Sequence, residues 1–389
     1  MSVSPQFNVR VLPNTTIGQL AINLAPYSWS SPLSVPTLGQ LVTRLDPNNV
    51  TGSDYPDASG DAVTHGYSGT DGAKAWIWGS RFIWDATTQR ALGICSPHPG
   101  AALGDAENGY LTMLSMYDAT SNGYVIMESP FGNNSTWPRS VAHLFDNQCI
   151  AGRTLYKWTH PVWRQATGYL QPQIAKINLD ALTTDMTSGR LGAAYQGSIA
   201  PPENDITAGA FDYLPGSDSF VLLHKSRVFF LNRATSAWGA EIPLGFPVAN
   251  AFHNLGHYHP QVAKFRGGGG AYAGTGVASA AWISIDGTTQ AITRLDDSPV
   301  VMSLSETDVG GEVKAASTFD PNSSESIVFH DNGTIYGLDD TRAVGSHWRT
   351  LGSAPVEVDW CCAMSTYGCI LVGTSATGGG ATLRLYRGA

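Results

Sequence analysis

The most chemistry in the shortest span lies in His253-Asn-Leu-Gly-His257-Tyr258-His259. Three histidines within seven residues could hold a metal through neutral imidazole nitrogens. On a strand, His257 and His259 share a face because side chains alternate. The preferred reading is nevertheless plain: strand or loop histidines at the start of a structural unit, with no cofactor. His253, His257 and His259 stand as the candidates should a metal be held. A second cluster, Lys157-Trp-Thr-His-Pro-Val-Trp-Arg164, reads as an exposed loop because its proline interrupts any strand. Its residues Trp158, His160, Trp163 and Arg164 are the binding candidates, since loop-tip aromatics can stack on a ligand ring while their usual work is packing.

Other chemistries lack their residues. Glu107, Glu128, Glu203, Glu241 and Glu306 occupy no distinctive context for a general acid/base pair. There is no Gly-x-Ser-x-Gly nucleophile elbow and no phosphate loop. Gly267–Gly270 is followed by neither Lys-Ser nor Lys-Thr and reads as a β-turn. Asp331-Asn-Gly-Thr reads as a tight hairpin rather than a calcium loop. The five cysteines form no CxxC pair and no disulfide framework. Cys361 and Cys362 are read as two partly buried thiols, because vicinal disulfides are rare.

Composition states what must position these residues. Charged residues make up 14% of the 389, well below the roughly 25% of a typical soluble domain. The chain also has 43 glycines, 22 prolines, 11 tryptophans and 15 tyrosines. That mixture suits short strands and tight turns. A net charge of -9 offers no basic field for nucleic acid. No apolar run reaches the roughly 18 residues of a membrane helix, so no membrane insertion is expected. No charged segment followed by an apolar stretch marks a secretory signal near the start.

One element recurs: an aromatic residue and aspartate, a short polar turn, then a β-rich run. It occurs at Trp84-Asp85, Tyr117-Asp118, Phe211-Asp212 and Phe319-Asp320, with weaker copies at Phe145-Asp146 and Tyr258-His259. A second element, an apolar strand with a polar turn and then tryptophan, occurs at Phe229–Trp238 and Ile335–Trp348. Asp and Asn suit these turns because their side chains bond nearby backbone amides. Unit spacing fits a four-stranded propeller blade. The expected fold is therefore all-β: a six-bladed β-propeller of four-stranded antiparallel blades, with seven blades as the alternative. The six units fall at about 65–130, 140–200, 206–250, 252–300, 312–352 and 356–389. The seven-bladed version places two blades in 65–130.

Residues 1–64 are Pro-, Ser- and Asn-rich and read as an extended arm preceding a propeller at 65–389. The last unit supplies only three strands. An N-terminal strand, from Phe7–Leu12 or around Leu38–Leu45, is expected to complete it, since an unpaired edge invites aggregation.

These repeats resemble the kelch-type β-propeller, the fold of the galactose-oxidase central domain. Tyr258-His-Pro-Gln-Val-Ala-Lys-Phe-Arg-Gly267-Gly-Gly-Gly270 carries the kelch glycine cluster, while the units ending at His224 and His330 lack it. The resemblance implies loops at both ends of a central channel. It also raises a copper-oxidase reading of Tyr258-His259, for which no tyrosine–cysteine partner is found. The functional expectation is a non-enzymatic structural or interaction module. More narrowly, it is a bacteriophage virion component, at the tail or another exterior position. Its partners would be other virion or assembly proteins, through residues 1–60, and a host-surface glycan or protein. The alternatives are a carbohydrate-active enzyme (copper oxidase or glycan hydrolase) and an intracellular kelch-like scaffold.

Overall fold

The computed structural model describes residues 16–33, 81–95, 113–127, 146–159, 163–164, 168–169, 173–182, 195–203, 209–246, 253–272, 277–303, 314–376 and 380–389. Among them, six antiparallel sheets follow one another as propeller blades. Blade 1 runs through Ile83–Asp85, Arg90–Cys95, Met113–Asp118 and Gly123–Met127. Blade 2 comprises Gln148–Ala151, Thr154–Thr159, Gln173–Asn178 and Tyr195–Ile199. Blade 3 comprises Ala210–Leu214, Ser219–His224, Arg227–Asn232 and Ala237–Trp238, with Ile242–Pro243 added on Arg227–Asn232. Blade 4 comprises Leu255–His259, Lys264–Gly268, Trp282–Asp286 and Ile292–Arg294. Blade 5 comprises Ala315–Phe319, Ser326–His330, Thr334–Leu338 and Trp348–Ser353. Blade 6 comprises Trp360–Met364, Cys369–Ala376 and Gly380–Arg387.

The fourth strand of blade 6 is Ser28–Trp29, pairing with Arg387 and Tyr386. The segments expected in this role, Phe7–Leu12 and Leu38–Leu45, lie outside the described residues. Backbone bonds from Tyr27, Ser30 and Leu33 to Gly388, Leu385 and Leu383 extend the join. The helix Thr16–Asn23 packs Ile17 and Ala21 into the core of blades 6 and 1.

Sequence units and blades coincide closely, and the seven-bladed alternative is corrected. Residues 83–127 build one four-stranded sheet, because the Tyr117-Asp118 turn joins the third and fourth strands of blade 1 instead of opening a new blade. The aspartate motif marks tight strand connections at more than one place in a blade. Asp85 accepts from Thr87 N, Asp118 from Thr120 N, Asp286 from Thr288 N and Thr289 N, and Asp339 from Thr341 N. Asn332-Gly333 forms the tight turn between Ser326–His330 and Thr334–Leu338, with Gly333 at φ 80°.

Apolar clusters lie between neighbouring blades, so no blade is stable alone. Aromatics fill these seams: Phe82 of blade 1 stacks on Trp360 of blade 6 at 3.8 Å and 12°. Trp360 in turn lies over Gly373 on the adjacent strand, where a Cβ would come within 2.1 Å of the indole. Trp282 and Gly268 repeat that arrangement in blade 4. Part of the glycine excess is thus room for tryptophan.

Candidate functional site

The first strand of each blade neighbours the first strands of the two adjacent blades, in a closed ring. Residues on these strands therefore face the axis. Arg81, just before blade 1, donates from Nη1 to Asp212 Oδ2 of blade 3 at 2.6 Å and from Nη2 to the carbonyls of Gln148 and Phe211. Gln148 answers by donating from Nε2 to the Arg81 carbonyl. Asp146, at the start of blade 2, accepts from Gly256 N of blade 4 and from Ser317 Oγ of blade 5. Contacts that skip a blade cross the axis, so these side chains fill it.

His257 completes the plug. Its Nδ1 lies 3.3 Å from Ser317 Oγ and its Nε2 2.8 Å from Ser326 Oγ. A hydroxyl can donate or accept, so either tautomer is satisfied. Burial, with Arg81 nearby, pushes the His257 pKa well below the usual imidazole value. Burial also opposes the Arg81 charge, but Asp212 and Asp146 outweigh it and raise the guanidinium pKa. The thiols of Cys149 and Cys361 are pushed well up by burial, so neither is a ready thiolate.

Above this plug the axis opens into a funnel of about 300 Å³, and every blade contributes to it. Arg81 and Asp212 form part of its floor. Half-buried Ile83, Trp84, Ile150, Tyr213, Tyr258 and Phe319 form its wall, and exposed Pro215 and Pro260 reach its mouth. Asp212 has three donors: besides Arg81 it accepts from Tyr213 N and Tyr258 N. Among the described residues, the floor therefore presents an ion pair whose carboxylate is already held by Arg81 and two backbone amides.

The histidine cluster falls on and just before the first strand of blade 4. His257 and His259 share a face, as alternation requires, and both turn toward blade 5. His259 Nε2 meets the Glu325 carbonyl at 3.0 Å, and its ring packs 5.5 Å from that of Phe319. His253 is buried before the strand at φ 65°. Among the described residues, no group of three His, Cys, Asp or Glu side chains is placed to hold a metal.

Of the second cluster's binding candidates, only Trp158 is described with its side chain. Trp158 lies on the strand Thr154–Thr159 and is 1% exposed, packed between blades against Phe211 and Trp238. It fills a seam, not a loop tip, because alternation on that strand turns it toward blade 3. Neighbouring Lys157 is buried against Asn147. The backbone of Trp163–Arg164 pairs with Gly168–Tyr169. The side chains of Trp163 and Arg164, and all of His160, lie outside what is described.

In the sequence, Trp84, Asp212, Tyr258 and Phe319 stand out as repeat positions, and Tyr258 also through the copper-oxidase reading. The available signal was positional: each is at or beside the first strand of a unit, where six segments must converge.

The sequence matches no protein-family profile, and no curated protein matches it. Fold and site together define the class: a six-bladed β-propeller whose described residues give the axis a polar plug and an open, largely apolar mouth.

Proposed function

We propose that this protein is a non-catalytic interaction propeller of a bacteriophage virion, exposed at the tail or another exterior position, that recognises a host-surface partner through its axial funnel. The observation that carries the recognition role is the funnel itself. Six blades converge on a concave aromatic wall above a floor whose charges are already paired. Such a site is shaped to bind and poorly equipped to react. The virion assignment rests on low charge, turn-rich composition and divergent kelch-like repeats.

Attachment to neighbouring virion proteins is assigned to residues 1–15 and 34–60 of the arm. Residues 16–33 are already engaged by the propeller of the same chain. The test is a native particle preparation probed with antibody against the propeller. The chain should co-sediment with intact particles in fixed copy number. Recovery only as a free soluble monomer overturns the virion assignment.

A further inference from the structure

The funnel's chemistry narrows what it receives. Charges at its floor and beside its wall are spent internally among the described residues. Arg81 is held by Asp212. Asp85, next to Trp84, is held by Arg153 at 2.6 Å and by Thr87 N and Thr88 Oγ1. Asp218, which accepts from the Tyr213 hydroxyl, is paired with Arg233. Asp320, next to Phe319, accepts from Asn322 N, Ser323 Oγ and Ala389 N. Among the described residues, a charged ligand would meet only groups already engaged within the chain, and it would lose its hydration.

The wall is mostly carbon, from Ile83, Trp84, Ile150, Phe319, Pro215 and Pro260. Among the described lining residues, hydroxyls come from Thr318, Ser365, Tyr213 and Tyr258, and that of Tyr213 is committed to Asp218. A pyranose carries a hydroxyl on nearly every ring carbon. Burying each without a partner costs about 1–3 kcal/mol. An apolar side chain incurs no such cost and gains from every wall contact.

Resting on the recognition role above, we infer that the funnel receives an uncharged apolar side chain, carried on a loop of a protein partner, rather than a glycan. This is an anchor residue in a desolvated pocket ringed by half-buried aromatics, the arrangement that concentrates binding energy at protein interfaces.

The test is saturation-transfer NMR on the full chain with two probe classes. The first is the N-acetyl amides of leucine, phenylalanine, proline, aspartate and lysine. The second is methyl glucoside and methyl galactoside. Leucine, phenylalanine and proline amides should receive saturation, and the charged amides and glycosides should not. Ser365→Trp, which fills the mouth, and Ile150→Ser, which strips the wall, should each weaken apolar-amide binding about tenfold. Two variants guard against one failing to fold. Glycosides binding in the funnel while apolar amides stay silent would overturn the inference and leave the recognition role standing. Amide signals unchanged in both folded variants would overturn the inference too. Silence from every probe would sink both the inference and the recognition role.

Discussion

Asp212 does three jobs from one carboxylate. It neutralises Arg81, caps Tyr213 N and ties blade 4 to blade 3 through Tyr258 N. Removing one partner of a buried ion pair strands the other charge, which typically costs about 3–5 kcal/mol. Asp212→Ala should therefore lower the urea midpoint by that amount of stability. Pairing Arg81→Met with Asp212→Leu should recover only part of the loss, because Asp146 stays buried without the guanidinium and Tyr213 N and Tyr258 N lose their acceptor. The histidines give a second test at the same scale. Burial, with Arg266 nearby, holds His259 at about 4, below its ordinary 6.5, and His257 is lowered too. The unfolded chain thus binds protons first as pH falls below 6.5, and stability must drop with acidification. For His259 the loss runs from pH 6.5 to about 4 and levels off below that. Its full size is on the order of 3 kcal/mol. His259→Gln does not titrate, so its denaturation midpoints between pH 7 and 4.5 should fall less steeply than those of the parent. Equal slopes would mean that His259 is not the group responsible.

At the scale of elements, Ser28–Trp29 is two residues long yet closes the ring. Trp29 packs 5.7 Å from Phe329 and 4.9 Å from Tyr386, and Arg349 donates to the Tyr27 hydroxyl at 2.8 Å. Without this segment the long strand Gly380–Arg387 becomes an open edge, free to pair with another chain. A chain lacking residues 1–33 should self-associate in sedimentation velocity, and a peptide spanning residues 16–33 should return it to monomer. A monomeric truncated chain would show that the edge is protected some other way. The need for such a strand was legible, because the last unit visibly lacked one. Its location was not, since neither a two-residue strand nor its Pro- and Ser-rich surroundings show any period of two. The blade limits were far more legible. Asp85, Asp286 and Asp339 announce their turns through their own side-chain bonds, a local effect that sequence records directly. Trp158 illustrates the opposite case: its residue type suits stacking on a ligand or packing in a seam, and only the neighbouring blade decides between them.

For the whole molecule, the site and the stability have one origin, the ring of first strands. Arg81 and Asp212 are 131 residues apart, and the funnel draws on segments from Arg81 to Ser365. No local motif could display them as a set; only closure of six blades makes them neighbours. Closure also predicts how the molecule opens. Each first strand touches two others, and each apolar cluster straddles a seam. Losing any blade then exposes both of its neighbours. The outer strands Ile292–Arg294 and Trp348–Ser353 are instead mostly exposed or half-exposed and have one strand partner each. Native-state hydrogen exchange should therefore separate two classes of amide. Hydrogen-bonded amides of Gln148–Ala151, Ala210–Leu214, Leu255–His259, Ala315–Phe319 and Trp360–Met364 should share one opening free energy, equal to that of global unfolding. Those of the two outer strands should exchange through smaller openings, with a weaker dependence on denaturant. A first strand that exchanges well ahead of the other four would mark a blade able to detach alone. The funnel would then be a site that opens and reforms, where a closed ring requires it to stand preformed until the whole propeller unfolds.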